Sequence, residues 1–270
     1  MIQTFSDLLK ILETHETRPY SFDRIPREAQ SVYGEPGNEI LKAATSIAER
    51  GHGSVRQNQK EFSEIPDPVE RRKARLAISR VIKPIEAKLL HEWAIKSGVL
   101  LDNKEFDRRW EEDGKRGETE NELYYDEKQH RWFKRNNMFM HSTYLEFFHR
   151  IALHNYLFPE APLRLEGFVV NQGELMPVMS QPHVRAERGA TKAEVINYMK
   201  KLGFKHKSGV DFYNPTTGVI VEDLHDENVL IDPDNPDHMY IVDPIIFLDD
   251  TGKAHRLKAY SNLDALNKLI

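Results

Sequence analysis

The hydrophobic pattern changes near residue 105, and this change limits the fold more than any other feature of the sequence. Before it, apolar residues recur at every fourth position from Ala77 to Trp93, as on one face of an α-helix. After it, short apolar runs rich in strand-forming residues alternate with turns and two helical segments. The order strand–strand–helix–strand–strand–helix–strands predicts an α+β fold rather than a regular βαβ alternation.

The sequence therefore predicts two parts. Residues 1–105 are expected to form a helical N-terminal region, with a short helix at 5–11 and the longest helix at 68–97. Pro84 removes a backbone donor, which predicts a kink or a division of that helix into two. Residues 106–270 are expected to carry strands at 122–126, 131–135, 163–171, 174–179, 218–221, 229–232 and 239–242, and helices at 143–157 and 191–202.

Composition narrows the classes of function. The chain has no cysteine, which excludes a disulfide scaffold, thiolate metal sites and a cysteine nucleophile. A formal charge of −5 gives no electrostatic case for binding nucleic acid or a membrane surface. No apolar run approaches the roughly 20 residues of a membrane span, and the first residues lack the apolar stretch of a signal peptide. We therefore expect a cytoplasmic globular protein.

The residues that can carry chemistry are concentrated between positions 221 and 243. Asp223 and Asn228 lie on a loop between two apolar strands, and Asp243 follows at the end of the next strand. Phosphoryl transfer needs such a set: one carboxylate orients the acceptor hydroxyl, while an amide oxygen and a second carboxylate bind Mg²⁺, which prefers hard oxygen ligands. Asp and Asn are also common in ordinary turns, so the pattern alone leaves both interpretations open.

The loop from Asp223 to Asn228 resembles that of the protein-kinase-like superfamily, in the form found in aminoglycoside phosphotransferases. More closely, residues 112–250 resemble the small kinase-like domain of polyvalent proteins of phages and conjugative elements. This resemblance covers about half of the chain and leaves residues 1–105 outside. The matching pieces are Gly117-Glu118, Tyr124-Tyr125-Asp126, Trp132-Phe133-Lys134, Leu145-Glu146, His154-Asn155, Phe158-Pro159, Met176-Pro177-Val178, Gln181-Pro182 and the catalytic loop.

The resemblance implies a reduced kinase-like fold: an antiparallel-sheet first lobe at 106–180, a hinge at about 178–184 and a short second lobe to 270. It implies ATP and Mg²⁺ as cofactors. Asp223 would be the catalytic acid, and Asn228 and Asp243 would bind the metal. Lys134 would contact the α- and β-phosphates, held there by an ion pair with Glu146.

Further nucleotide contacts follow from the same resemblance. The turn that contains Gly114 and Gly117 would cover the phosphates, and the hinge residues Val178, Met179 and Gln181 would offer backbone groups to adenine.

Two of the implied roles have alternatives. Glu146 fits a capping box in which its carboxylate accepts from the backbone amide of Thr143. His225 would either orient the catalytic loop and touch phosphate or be a plain polar loop residue.

Departures from the kinase pattern limit what the resemblance implies. Glu222 stands where protein kinases carry the arginine that reads activation-loop phosphorylation, and Pro244 replaces the phenylalanine after the metal-binding aspartate. Residues 244–270 are too few for the large helical lobe that binds peptides, so substrate recognition would come from residues 1–105. The acceptor, a protein or a small molecule, stays unidentified.

Three functions fit these features. The first is an ATP- and Mg²⁺-dependent phosphotransferase acting on a hydroxyl group. The second is a pseudokinase or nucleotide-binding interaction module. The third is transfer of another part of the nucleotide, such as AMP.

Overall fold

The computed structural model describes residues 28–53, 68–114, 116–117 and 120–248. The helix expected at 5–11 lies outside these ranges. A 3₁₀-helix at Glu28–Gly34 precedes the α-helices, and no helix in the described ranges is long and apolar enough to span a membrane. The α-helices are α1 (Glu39–Gly53), α2 (Pro68–Ser97), α3 (Asn103–Glu112), α4 (Tyr144–Leu157) and α5 (Lys192–Lys201).

Within the described residues, the strands form three separate antiparallel sheets with the orders β1-β2-β4-β3, β10-β9-β5 and β11-β8-β7-β6. This mixture of helices and antiparallel sheets confirms the α+β prediction at the level of fold class. The strands are β1 (Asn121–Asp126), β2 (Arg131–Asn136), β3 (Arg164–Asn171), β4 (Glu174–Pro182), β5 (Arg188–Gly189), β6 (Lys205–Ser208), β7 (Asp211–Tyr213), β8 (Val219–Glu222), β9 (Val229–Ile231), β10 (Met239–Ile241) and β11 (Ile245–Leu248).

Short-range chemistry explains the turns of the first sheet. Asp126 ends β1, and its carboxylate accepts from the backbone amides of Lys128 and Gln129 at 3.0 and 2.9 Å, which closes the β1–β2 turn. Gln172 and Gly173 between β3 and β4 both have positive φ, at 51° and 85°. Positive φ at both central residues is the geometry of a type I′ turn, which matches the twist of a hairpin.

Helix α4 connects β2 to β3 and packs with α1 and α2 on one face of the first sheet. Leu41 of α1, Leu90 of α2, Phe148 of α4 and Phe168 of β3 belong to one buried cluster. This cluster crosses the boundary predicted near residue 105, so α1 and α2 share a core with the sheet. The domain boundary itself stays a prediction.

Helix α3 covers the opposite face of this sheet, where the sequence pattern had predicted strands and turns from residue 106. Phe106 packs edge-to-face on Tyr124 of β1, with 5.1 Å between ring centroids. The carboxylate of Asp102 caps the helix by accepting from the amide of Lys104 at 2.9 Å. Ion pairs one turn apart, such as Glu105 with Arg109, add to it. The cap and the charge spacing were readable in the sequence.

Helix α2 is a single helix from Pro68 to Ser97, so the alternative of two separate helices is wrong. Pro84 lies on its exposed side, where water can satisfy the carbonyl that lacks a helical donor.

The second and third sheets surround a core that positions the candidate site. The strands predicted near 219–222, 229–231 and 239–241 are confirmed, whereas β5, β6, β7 and β11 were not predicted. Val221, Val229 and Ile241 are buried in one cluster that also contains Met199 of α5. The loops that follow β8 and β10 therefore start from strand ends fixed in a packed core.

Candidate active site

A cavity of about 380 Å³ lies between the first sheet, helix α4 and the loops that follow β8 and β10. It collects most of the residues singled out in the sequence. Those on its wall are Gly117, Lys134, Met179, Asp223, His225, Asn228 and Asp243. Of the remaining candidates, Gly114, Glu146, Val178 and Gln181 do not line it.

Lys134 reaches the cavity from the middle of the first sheet. It lies on β2 opposite Leu123 of β1 and Met179 of β4, so its backbone is held on both sides. Its side chain is 8% exposed, and the ammonium nitrogen lies 3.4 Å from Oδ1 of Asp243, whose side chain is 51% exposed. The pair places a buried positive charge next to a carboxylate that solvent and ligands can still reach.

The loop from Asp223 to Asn228, proposed below as the catalytic loop, is held by its own polar groups. Asp223 follows β8 with φ of 65°, a left-handed conformation that aspartate tolerates better than most residues. The side-chain nitrogen (Nδ2) of Asn228 donates to the backbone carbonyl of Asp223 at 2.9 Å and lies 3.1 Å from Nε2 of His225. The amide of Val242 donates to the carbonyl of Asn228 at 3.0 Å, which joins this loop to the segment that carries Asp243.

The oxygen atoms that Asn228 and Asp243 offer to the cavity are suitable ligands for a divalent cation. The amide nitrogen of Asn228 is occupied within the loop, and among the described residues its Oδ1 atom accepts no hydrogen bond. Asp243 offers a half-exposed carboxylate on the same cavity wall. A free amide oxygen and an accessible carboxylate are the hard ligands that Mg²⁺ prefers. The assignment of Asn228 and Asp243 as metal ligands stays a prediction that the geometry allows.

His225 lies within the loop and also lines the cavity. Its Nε2 atom is 3.6 Å from Oδ1 of Asp223, and its Nδ1 atom accepts from the amide of Glu227 at 3.3 Å. These contacts suit a residue that orients the loop, and the ring remains partly exposed toward the cavity. Both interpretations of His225 therefore stay open.

The ion pair predicted between Glu146 and Lys134 is wrong. The Glu146 carboxylate pairs with Arg150 at 3.1 Å and accepts from the backbone amide of Ser142 at 3.2 Å. The reason is that Glu146 lies in the first turn of α4, where a carboxylate reaches the unpaired amides and the residue one turn on. The capping interpretation agrees better with the structure, since the Glu146 amide donates to Oγ1 of Thr143 at 3.1 Å. The Glu146 carboxylate, however, accepts from the amide of Ser142 rather than from that of Thr143.

Arg150 and His154 of α4 line the cavity and were not predicted as site residues. Together with Phe147 and Ile151 they follow the spacing of one helix face, a signal that the sequence contains. His154 is buried, and its Nε2 atom lies 3.2 Å from the carbonyl of Ile241. Burial lowers the pKa of His154 to about 4, helped by the charge of Lys134.

A second polar pair, Glu120 and His141, was also missed and lies on the same cavity wall. Nε2 of His141 is 2.6 Å from Oε1 of Glu120, which also accepts from Asn136 at 3.1 Å. Burial would raise the pKa of Glu120, but the His141 hydrogen bond and the charge of Arg150 hold it at about 2. Burial lowers the pKa of His141. The spacing of Glu120 and His141 gives no sequence signal, because only the fold brings them together.

The hinge prediction is wrong for Val178 and Met179. Both lie inside β4, which pairs with β2 on one side and β3 on the other; Met179 is opposite Lys134 and Leu165. Their backbone groups face neighbouring strands and are not free to bind adenine. The strand extends to Pro182, beyond the end predicted at Met179, because β2 continues to pair with it as far as Arg131 opposite Pro182, a partner that the local sequence does not show.

Gln181 lies where β4 keeps only one partner. It is opposite Trp132 of β2, while pairing with β3 ends at Ser180. Its side-chain amide donates to the carbonyl of Ala161 at 2.9 Å. The adenine contact predicted for Gln181 therefore stays a prediction.

The two glycines of the turn after α3, Gly114 and Gly117, have different structural roles. Gly117 has φ of 75°, and a Cβ there would lie 2.1 Å from the carbonyl oxygen of Asn121, so only glycine fits beside β1. Gly114 ends α3, with its amide donating to the carbonyl of Glu111 at 3.2 Å. Gly117 lines the cavity and Gly114 does not, and the predicted phosphate contacts of both residues stay predictions.

An antiparallel sheet with a buried lysine, a helix after the lysine strand, an Asp–Asn loop and a later aspartate share one cavity. This arrangement is compatible with a kinase-like α+β fold. A family model described as the serine/threonine/tyrosine kinase found in polyvalent proteins matches residues 83–250. The chain belongs to this family of kinase domains, which confirms the resemblance.

The match begins at residue 83, within helix α2, and so includes residues 83–111, which the predicted resemblance had left out. Comparison with curated proteins and with solved structures gave no significant match.

Proposed function

We propose that this protein is an ATP- and Mg²⁺-dependent phosphotransferase that transfers the γ-phosphoryl group to a hydroxyl of an acceptor. The observation that supports it most strongly is the shared cavity of Lys134, Asp223, Asn228 and Asp243, in which Lys134 and Asp243 are 3.4 Å apart. Membership in a kinase family supports the same reaction class. The acceptor is a protein or small molecule.

Each side chain has a role set by its position. Lys134 would neutralise phosphate oxygens, and its burial strengthens that interaction. Asn228 and Asp243 would hold Mg²⁺, which when bound neutralises charge on the nucleotide phosphates. Asp223 would orient the acceptor hydroxyl and accept its proton, because its half-exposed carboxylate faces the cavity. Most of the rate would come from positioning and charge stabilisation.

The fold that supports this function is proposed to consist of two unequal lobes. The sheet β1–β4 with α3 and α4 would be the first lobe. The segment from 183 to 248, with α5 and the strands β5–β11, would be a reduced second lobe. We also propose that the domain works within a polyvalent protein of a mobile genetic element, as family membership suggests.

Calorimetry with the non-hydrolysable analogue AMP-PNP tests the metal assignment. We expect Mg²⁺ to strengthen binding to the wild type, and Asp243→Ala to lose that strengthening. Asp226→Ala is the matched control, because Asp226 lies on the catalytic loop with a side chain 79% exposed and does not line the cavity. Equal Mg²⁺-dependent affinity in the wild type and Asp243→Ala would refute the assignment.

A nucleotide-binding module without phosphoryl transfer is the second candidate. The pairing of Glu146 with Arg150 favours it, because Lys134 then lacks the helix glutamate that accompanies it in active kinases. ATP turnover by the wild type and by Asp223→Asn separates the two functions. A phosphotransferase should lose roughly a hundredfold or more in rate on losing its catalytic carboxylate. Equal background rates would favour the binding module.

A further inference from the structure

Helix α2 inserts a carboxylate at the start of helix α4. Glu86 is fully buried, and it accepts hydrogen bonds from the backbone amides of Tyr144 at 2.7 Å and Leu145 at 3.3 Å. These are the first two amides of α4, which have no partner inside the helix. A carboxylate there also interacts favourably with the positive end of the helix dipole. Because Thr143 caps the next amide, all three N-terminal amides have acceptors.

Lys83, one turn earlier on α2, fixes the segment that leads into α4. Its ammonium donates to the carbonyls of Met138 at 2.6 Å and His141 at 2.9 Å. Met138 has a positive φ of 59°, and its amide donates to the side chain of Asn136 at 2.7 Å. Lys83 therefore holds a backbone that is not in its preferred conformation between β2 and α4.

Burying the charged groups of Lys83 and Glu86 costs desolvation free energy. Two apolar side chains could pack at these positions without that cost. Moving a carboxylate and an ammonium out of water is unfavourable unless their hydrogen bonds are satisfied, and an apolar pair often gives equal stability. Here the two side chains make four hydrogen bonds to backbone groups, all of them at the entrance to α4. A Cβ at Gly51 would lie 3.2 Å from Cγ of Glu86, so α1 packs closely over the same point.

The other end of α4 meets the candidate site. His154 in its last turn lies 3.2 Å from the carbonyl of Ile241, two residues before Asp243. One turn earlier, Arg150 lines the cavity. An α-helix is a rigid element, so the orientation fixed at Tyr144 also affects where His154 meets the carbonyl of Ile241.

We propose that Lys83 and Glu86 are positioning residues that couple helix α2 to the metal-binding end of the cavity. They orient α4, and α4 orients the segment that carries Asp243 through the contact of His154. The proposal rests on the nucleotide site of the preceding section, but its structural half can be tested without any nucleotide.

Two conservative variants test it. Glu86→Gln keeps the shape and one acceptor atom but turns an amide donor toward the helix amides, and Lys83→Met keeps the aliphatic stem without its hydrogen bonds. Glu92→Gln and Lys88→Met are matched controls on exposed positions of the same helix. Two quantities are measured in the full chain: amide hydrogen exchange at Tyr144 and neighbouring residues by NMR, and AMP-PNP affinity with Mg²⁺ and with EDTA.

We expect both variants to speed exchange at the first turn of α4 by roughly tenfold or more, because Glu86→Gln weakens the hydrogen bonds of its first amides and Lys83→Met releases the segment that leads into it. Exchange in the β3–β4 hairpin should stay unchanged. We also expect the ratio of affinities with and without Mg²⁺ to fall several-fold, with affinity in EDTA unchanged. The two control variants should match the wild type in both measurements.

Three results would overturn the proposal. Unchanged exchange at the start of α4 would show that the contacts do not anchor the helix. Faster exchange throughout the chain would show a general stabilising role. Faster exchange limited to α4, with an unchanged Mg²⁺ ratio, would show that the anchoring does not reach Asp243. If the wild type binds no nucleotide, the proposed function fails, and unchanged exchange then still refutes the anchoring.

Discussion

Lys134 and Asp243 show how single residues combine burial with reactivity. The lysine is buried and its strand is paired on both sides, so its charge has a fixed position. The aspartate is half exposed and follows a strand end, so its carboxylate is accessible from the cavity. Among the described residues, the ion-pair partner of Lys134 is Asp243, so a buried charge is neutralised by a group that solvent also reaches.

His154 predicts how stability depends on pH. Its pKa is about 4 in the folded protein because burial penalises the charged form, and about 6.5 when unfolded. The unfolded chain therefore binds more protons as pH falls below about 6.5, and stability falls with it. Between pH 7.5 and pH 5 this residue should cost about 2 kcal/mol of unfolding free energy.

His154→Gln checks this sign, because glutamine can still bond to the Ile241 carbonyl but has no such titration. Urea unfolding at pH 7.5 and pH 5 should show a smaller loss of stability in the variant. Between pH 7.5 and pH 8.5 the two proteins should differ by a constant amount, since neither state takes up a proton there. Parallel curves between pH 7.5 and pH 5 would contradict the prediction.

At the scale of elements, caps and turns could be predicted, whereas partners across the fold could not. Thr143 and Thr191 begin their helices as their side chains predict, and the Gln172-Gly173 turn lies between the strands predicted at 163–171 and 174–179. The ion-pair partner of Glu146 depends on how α4 is rotated against the sheet. The sequence spacing between Glu146 and Lys134 does not show this rotation. Pairing of β4 on both sides likewise depends on β3 returning beside it.

Helix α3 was not predicted from the sequence, although its cap and its charge spacing are local signals. The apolar pattern of this segment was too weak to indicate a helix. Its start depends on Asp102, whose carboxylate accepts from the amide of Lys104. Asp102→Ala should lower the free energy of unfolding by about 1 kcal/mol, the usual cost of losing an N-cap. Asp102→Asn should keep most of that stability, since asparagine caps as well as aspartate.

Thermal or urea unfolding of these two variants measures the effect. The variants differ only in whether residue 102 offers an acceptor oxygen. Equal destabilisation by alanine and asparagine would show that the charge, through the helix dipole, and not the hydrogen bond, stabilises the start of α3.

At the scale of the whole molecule, one buried cluster joins parts that the sequence pattern had separated. Leu90 and Trp93 of α2 pack with Phe168 of β3, where the rings of Trp93 and Phe168 lie 6.3 Å apart edge-to-face. Helix α2 also holds the start of α4 through Glu86. Because the core crosses the predicted boundary, we expect α2 and the first sheet to unfold in one cooperative transition rather than in two steps.

Single-tryptophan variants test this cooperativity, since Trp93 reports on α2 and Trp132 on the first sheet. With the other tryptophans replaced by phenylalanine, urea midpoints read at the two positions should coincide. Leu90→Ala should lower the free energy of unfolding by roughly 2–5 kcal/mol, because it opens a cavity in the shared cluster. The decrease should be equal whether it is read at Trp93 or at Trp132. A shift at Trp93 alone would mean that α2 unfolds independently, and the boundary near residue 105 would then divide two cooperative units.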